Sequence, residues 1–153
     1  MKLTLKEHRR FESLIRKYKR NKKVKEMRNY IQHGAVSTYD HVKSVALLSY
    51  FLNHRFHLGA RDRVLIAGAI LHDFYLYDWH KNRGHYHGFN HPEIACKNAV
   101  TYFNVDNNVQ GIIKSHMWPL TLTKVPHSRE AWIVCLADKL IALKETLHGL
   151  KLF

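Results

Sequence analysis

The chain has 153 residues, of which 46% are hydrophobic and 24% charged, and its formal net charge at pH 7 is +13. These values are typical of one folded domain and exclude a fibrous or disordered chain. No apolar run approaches the roughly 18–20 residues of a membrane helix, and the N-terminus lacks the apolar core of a secretory signal. We therefore expect a single domain over residues 1–153 in the cytoplasm, with Cys96 and Cys135 as free thiols.

The N-terminal segment holds most of the excess positive charge. Residues 1–28 contain 12 lysines and arginines against 3 acidic residues, and the other 125 residues contain 13 against 9. A thin apolar stripe through this segment predicts a basic helix over residues 1–30 that docks by one face. The charge could attract nucleic acid or anionic substrates. Without a recognition motif, a solvated helix face is the simpler interpretation, and we expect no membrane partner.

Apolar residues recur at helical spacings along the rest of the chain, which predicts an all-α bundle of about six helices. The second helix runs over 40–57 after a cap at Ser37 or Thr38, and the third runs from about residue 60 to Tyr77 or Trp79. Residues 80–90 are predicted to be a loop, after which Pro92 opens the fourth helix. The fifth helix spans 106–117 and the last spans 128–147, with a loop over 119–127.

Several of these helices direct a histidine or an aspartate inward from an otherwise apolar face. Asp138 lies within an apolar stripe of the last helix, where an unpaired carboxylate would be costly. The complete set comprises His41, His72, Asp73, His91, His116 and Asp138. Imidazoles and carboxylates are the donors that borderline divalent metals prefer, and helix bundles build metal sites from facing helices. Six donors favour two ions sharing a carboxylate, or one ion with additional supporting ligands.

The same residues resemble the signature of the HD-domain superfamily of metal-dependent phosphohydrolases. The resemblance spans residues 33–140, and the surrounding segments are similar to a bacterial subgroup of small single-domain HD proteins. These segments are VSTYDHVKSVALLSYFL, AGAILHDFYLYDWH, HGFNHPEIA, IIKSHMWPL and WIVCLADK. The resemblance implies a compact helical HD domain with its metal-binding core over residues 33–140.

The resemblance further implies that His41, His72, Asp73 and Asp138 hold a first metal, and that Asp73 bridges to a second metal held by His91 and His116. It implies hydrolysis of a phosphate ester or anhydride, through a metal-activated hydroxide, in a nucleotide-like substrate. Phosphodiesterase, phosphatase and dinucleoside polyphosphate hydrolase activities all fit. Four histidines argue against a purely magnesium site and favour iron, manganese, nickel or zinc.

Further residues are candidates for supporting roles in such a site. Besides Asp73, Lys139 could neutralise a phosphate or orient the carboxylate of Asp138, and His87 could contact a metal ligand or the substrate from the loop before His91. The same loop contains Arg83 and His85. His33 could also reach the site, and Asp78 or His80 could act as a general acid. The aromatic cluster Phe74, Tyr75, Tyr77 and Trp79 is expected to form core and pocket wall.

Two other functions remain open on the sequence. A di-iron oxygenase would use similar histidine and carboxylate ligands. A non-catalytic module would keep the metal for stability and bind nucleic acid or a partner through the basic N-terminal helix.

Overall fold

The structure is a computed structural model that describes residues 3–81 and 87–150, with backbone alone for 148–150. In these residues the chain forms seven α-helices, which confirms the all-α prediction, together with a small hairpin. The helices are α1 (Leu5–Arg20), α2 (Lys22–Glu26), α3 (Thr38–Arg55), α4 (Asp62–Leu71), α5 (His87–Phe103), α6 (Asn107–Ser115) and α7 (Arg129–Leu150). A 3₁₀ turn (Met27–Asn29) precedes the antiparallel strands β1 (Ile31–His33) and β2 (Val36–Ser37).

The basic N-terminal segment is not one helix. A capping box formed by Thr4 and Glu7 starts α1, and the chain becomes extended at Asn21. The Asn21 side chain then accepts hydrogen bonds from the backbone N–H groups of Lys23 and Val24, so it caps α2. The predicted helix over 1–30 is therefore interrupted, since asparagine stabilises a new helix start better than a helix interior.

Two predicted helix ends are wrong. The third predicted helix, α4, ends at Leu71 rather than near Tyr77 or Trp79, and Leu76 has a positive φ of 58°, which a helix cannot contain. Helix α5 begins at His87, five residues before Pro92, so part of the predicted loop is helical. Pro92 has no backbone N–H group, so α5 lacks one hydrogen bond near its start. Residues 82–86 of the predicted loop, including Arg83 and His85, lie outside the described residues.

Helices α3, α4, α6 and α7 pack around a shared core, with α5 against α6. The Ser37 side chain caps α3, as predicted. Gly68 lies on the face of α4 that meets α6, and a Cβ atom placed there would lie 2.6 Å from side-chain atoms of Ile112. The glycine therefore permits a close approach of two helices that each end at a histidine, His72 and His116. None of the described helices combines the length and apolarity needed to cross a membrane.

Candidate metal centre

All six predicted donor residues converge inside the bundle. His41 comes from α3, His91 from α5 and Asp138 from α7, while His72 and His116 are the residues that close α4 and α6. Each of the six is at most 8% exposed. The helix ends are important here, because a residue at the end of a buried helix can point inward without interrupting the apolar core.

The first group consists of His41, His72, Asp73 and Asp138. The Oδ1 atom of Asp138 lies 3.1 Å from His41 Nε2 and 3.5 Å from His72 Nε2. The Oδ2 atom of Asp73 lies 3.3 Å from His72 Nε2 and 3.8 Å from His41 Nε2. Two imidazole nitrogens and two carboxylates thus surround one small volume.

The second group consists of Asp73, His91 and His116. Here the other oxygen of Asp73, Oδ1, lies 3.1 Å from His91 Nε2 and 3.4 Å from His116 Nε2. The two Nε2 atoms are 2.9 Å apart. Asp73 therefore belongs to both groups, and each of its oxygens faces a different pair of histidines.

The hydrogen bonds on the far side of each ring fix which nitrogen faces the cluster. Nδ1 of His72, His91 and His116 lies 2.7–2.8 Å from a backbone carbonyl oxygen, which can only accept a hydrogen bond. Nδ1 therefore carries the proton in the neutral ring, and Nε2 presents a lone pair to the cluster. Two such lone pairs 2.9 Å apart repel each other unless a cation lies between them, which is how metal-binding histidines are arranged.

Other atoms of the cluster lack partners that a metal would supply. His72 Nε2 and Asp73 Oδ1 are buried and have no hydrogen-bond partner. Such atoms are rare in native interiors, because an unpaired buried polar group costs on the order of 1–3 kcal/mol. The donor set and these unpartnered atoms both fit divalent metal ions.

Protons stabilise the cluster when no metal is bound. Burial disfavours a charge on His41, but hydrogen bonds to Asp138 and Glu145 outweigh it and raise its pKa to about 9. The pKa of His72 is likewise raised, because Asp73 and Asp138 outweigh the effect of its burial. Burial lowers the pKa of His116, so that ring is neutral at pH 7. The pKa values of Asp73 and Asp138 are lowered by the surrounding histidines despite burial, so both remain anionic.

Two residues that sequence reasoning missed hold the donors in place. Glu145 Oε2 lies 2.8 Å from His41 Nδ1, and Gln32 donates from Nε2 to Asp73 Oδ2 over 2.6 Å. Glu145 follows Asp138 by seven residues on α7, a spacing that places both on one face and that the sequence already contained. Gln32 lies in the hairpin and has no periodic signal. Its Oε1 accepts hydrogen bonds from Thr38 and Tyr75.

A cavity of about 1090 Å³ opens onto the cluster, and Asp73, His91, His116 and Asp138 form part of its wall. The predicted supporting residues Lys139, His87, His33 and His80 also line it, as does Trp79, whereas Asp78 is not among the lining residues.

Lys139 and His87 occupy well-defined positions at this wall. Lys139 Nζ donates to the carbonyl of His116 over 2.7 Å and lies 3.8 Å from Asp138 Oδ2. The His87 ring stacks on Trp79, with centroids 5.0 Å apart, and its Nδ1 is 2.7 Å from the hydroxyl of Tyr77. Phe74 and Tyr75 are buried in the core, as expected.

The comparisons with known proteins agree with this geometry. The family model described as HD domain matches residues 38–143, well over half of the chain and a range that contains all six donors. Searches of curated proteins and of solved structures found no match. By the extent of the family match, this chain belongs to the HD domain family.

Proposed function

We propose that this chain is a metal-dependent phosphohydrolase that cleaves a phosphate ester or anhydride of a nucleotide-like substrate at a site for two divalent ions. HD domains are generally metal-dependent hydrolases, and the cluster contains the donors for such ions. The observation that carries the two-ion proposal is the position of Asp73, whose two oxygens face two separate pairs of histidines.

In this proposal the first group holds one ion and the second group holds the other, with Asp73 between them. Bound there, the ions would supply Lewis acidity toward a phosphoryl oxygen and would lower the pKa of water toward neutrality. The histidine-rich donor set favours iron, manganese, nickel or zinc over magnesium.

The residues around the cavity would bind and orient the substrate. Lys139 is held beside the second group by its hydrogen bond to the His116 carbonyl, so its ammonium can face an anionic phosphate at the cluster. Trp79, Met117 and Leu120 contribute apolar and aromatic surface to the cavity wall, which suits the base of a nucleotide. A lining that combines a lysine and the metal cluster with aromatic and apolar side chains supports a nucleotide-like substrate over inorganic phosphate chains.

The test is metal analysis of untagged protein by inductively coupled plasma mass spectrometry, combined with a manganese-supplemented screen of nucleotides and phosphodiesters. We expect about two equivalents of transition metal and release of a phosphate product. His8→Ala is the control for losing a histidine outside the cluster, since His8 is an exposed histidine on α1. It should retain metal and activity. No metal after reconstitution, together with no turnover, would overturn the proposal, and oxygen consumption with substrate would indicate an oxygenase instead.

The second candidate function is nucleic-acid binding through α1. Its outward side chains are mostly cationic, including Arg9, Arg16 and Arg20, and this helix contains 7 basic residues against 2 acidic ones. Binding that weakens steeply with salt and is unchanged by Asp73→Ala would support this function.

A further inference from the structure

The outward face of α7 is apolar, unlike the outward face of an ordinary surface helix. Five large apolar side chains on it are 43–58% exposed, and we call them the α7 stripe: Trp132, Leu136, Leu140, Leu143 and Leu147. With about 100° between successive helical residues, all five fall within an arc of about 80°. Between Trp132 and Leu147, only Lys144 and Thr146 are also exposed to this degree. The stripe therefore dominates the solvent side of the helix.

The opposite face of α7 is apolar as well, because Ala131, Val134 and Ile141 are buried in the core. A helix with apolar side chains on two opposite faces is normally covered on both of them. Contiguous exposed apolar surface of this kind marks an interaction site in proteins that dissolve in water. The stripe thus requires a cover that residues 3–81 and 87–147 do not supply.

We propose that the α7 stripe is a homodimer interface, in which α7 of a second copy packs antiparallel to it about a two-fold axis near Leu140. A two-fold interface must be self-complementary, and the stripe meets this condition. Leu140 would face its own equivalent, Leu136 would face Leu143, and Trp132 would face Leu147. The spacings of four, four, three and four residues are those of helix–helix ridges.

The distribution of charge favours a second copy as the occupant. Two chains of net charge +13 repel each other, so a face without excess charge is the one through which they associate at the least electrostatic cost. Helix α7 has three basic and three acidic residues, whereas residues 1–28 have an excess of nine positive charges. Helix α1 packs against α2 and α4, so an interface between two α7 helices keeps the two basic segments out of the contact.

The area of the stripe also matches what a dimer needs. Standard interfaces bury about 800 Å² per partner, and homodimer interfaces are about 65% apolar, which requires roughly 500 Å² of apolar surface. Five large side chains that are about half exposed present roughly that area. The half-buried Trp118 packs edge-to-face on Trp132 at one end of the stripe, with ring centroids 5.0 Å apart.

The first experiment is sedimentation velocity with the full chain and two glutamate variants. We expect wild type at twice its monomer mass of 18.1 kDa. Leu140→Glu should be monomeric, because the two-fold axis brings two carboxylates together in an apolar contact. Its affinity for a second copy should fall by at least about 100-fold. Leu5→Glu is the matched control: Leu5 is 81% exposed on α1, so this variant should remain a dimer. A monomeric wild type at about 100 μM would overturn the proposal, as would a dimeric Leu140→Glu.

Cross-linking keeps the proposal testable even if Leu140→Glu folds poorly. Leu140→Cys should oxidise to a disulfide-linked dimer, since the axis places the two new thiols opposite each other. The native Cys96 and Cys135 are buried, and Leu5→Cys serves as the exposed control that should stay uncoupled. Equal cross-linking of Leu140→Cys and Leu5→Cys, or none of either, would contradict the antiparallel arrangement.

Discussion

The two groups of the candidate metal centre are held by different kinds of partner. In the first group, His41 is anchored by the carboxylate of Glu145, and Asp138 supplies a second carboxylate beside Asp73. In the second group, His91 and His116 are anchored by the backbone carbonyls of His87 and Ile113, and among the described residues Asp73 is its one carboxylate. The first group therefore has more negative charge around it.

The two groups also differ in their access to the cavity. His41 and His72 of the first group are fully buried and are not among the cavity-lining residues, whereas His91 and His116 both line the cavity. A deep group rich in carboxylates favours tight, persistent metal binding, because opposite charges interact strongly at low dielectric. An ion held by the second group, at the cavity wall, would be accessible to the substrate. We therefore expect the first group to fill before the second.

The largest effect is expected from Asp73→Ala, because this change removes the residue that both groups share. Both ions should be lost and hydrolysis should be abolished, measured by metal content and turnover on the same preparation. The folded state can be checked by circular dichroism. Near-normal turnover would rule out the two-ion site.

His116→Ala should separate the two groups. It removes a donor from the second group alone, so one of two equivalents of metal should be lost while the fold survives. Metal content by mass spectrometry and thermal unfolding measure the two parts of this prediction. Loss of all metal, or of none, would show that the groups are not distinct.

The sequence predicted the convergence of the six donors better than it predicted the boundaries of the helices that carry them. Except for His91, which was chosen for its position before Pro92, each donor lies on or ends an apolar stripe. A polar residue in such a place has to be paired. The end of α4 was missed because HDFYLYDW continues the apolar pattern, although the chain leaves the helix at His72. Periodicity reports which side chains are buried, and both a helix and a buried turn satisfy it.

The supporting residues and the α7 stripe show two other limits of sequence reasoning. Glu145 had the right spacing from Asp138, yet a glutamate on a helix is usually solvated, and only its contact with His41 distinguishes it. The leucines of the α7 stripe look like ordinary core residues in the sequence. Their exposure follows from the packing of α7 against α3, α4 and α6, which the sequence alone does not fix.

The metal-free protein should lose stability as the pH rises, through the first group. The pKa of His41 is raised to about 9, above its ordinary value of 6.5, so its stabilisation is complete below pH 6.5 and is lost as the pH rises through 9. The loss is on the order of 3 kcal/mol at most. His116, with a lowered pKa, is already neutral in this window. Urea unfolding with a chelator measures the trend, and the metal-loaded protein should not show it, because metal displaces these protons.

Glu145→Gln should weaken metal binding by the first group about 10- to 100-fold, because it replaces the anionic anchor of His41 with a neutral one. The second group should keep its affinity, and competition with a chromogenic chelator can resolve the two. Glu12→Gln on α1 is the matched control, since Glu12 pairs with Lys19 at the surface, on a helix that carries none of the six donors. Equal weakening of both groups would contradict an anchor specific to His41.

The smallest effect is expected from Gly68→Ala, which tests how the two groups are spaced. The new methyl would meet Ile112 on α6, so α4 and α6 must separate slightly, at a cost of about 1–3 kcal/mol. These helices end at His72 and His116, so the shift should lower the affinity for the second ion without removing a donor. Gly111→Ala is the control: it meets no atom within 4 Å and should stabilise α6 by about 0.5–1 kcal/mol. Urea midpoints measure the stability of both variants, and metal titration measures their affinity for metal. Only Gly68→Ala should lower the metal affinity, which separates the effect of helix spacing from that of helix propensity.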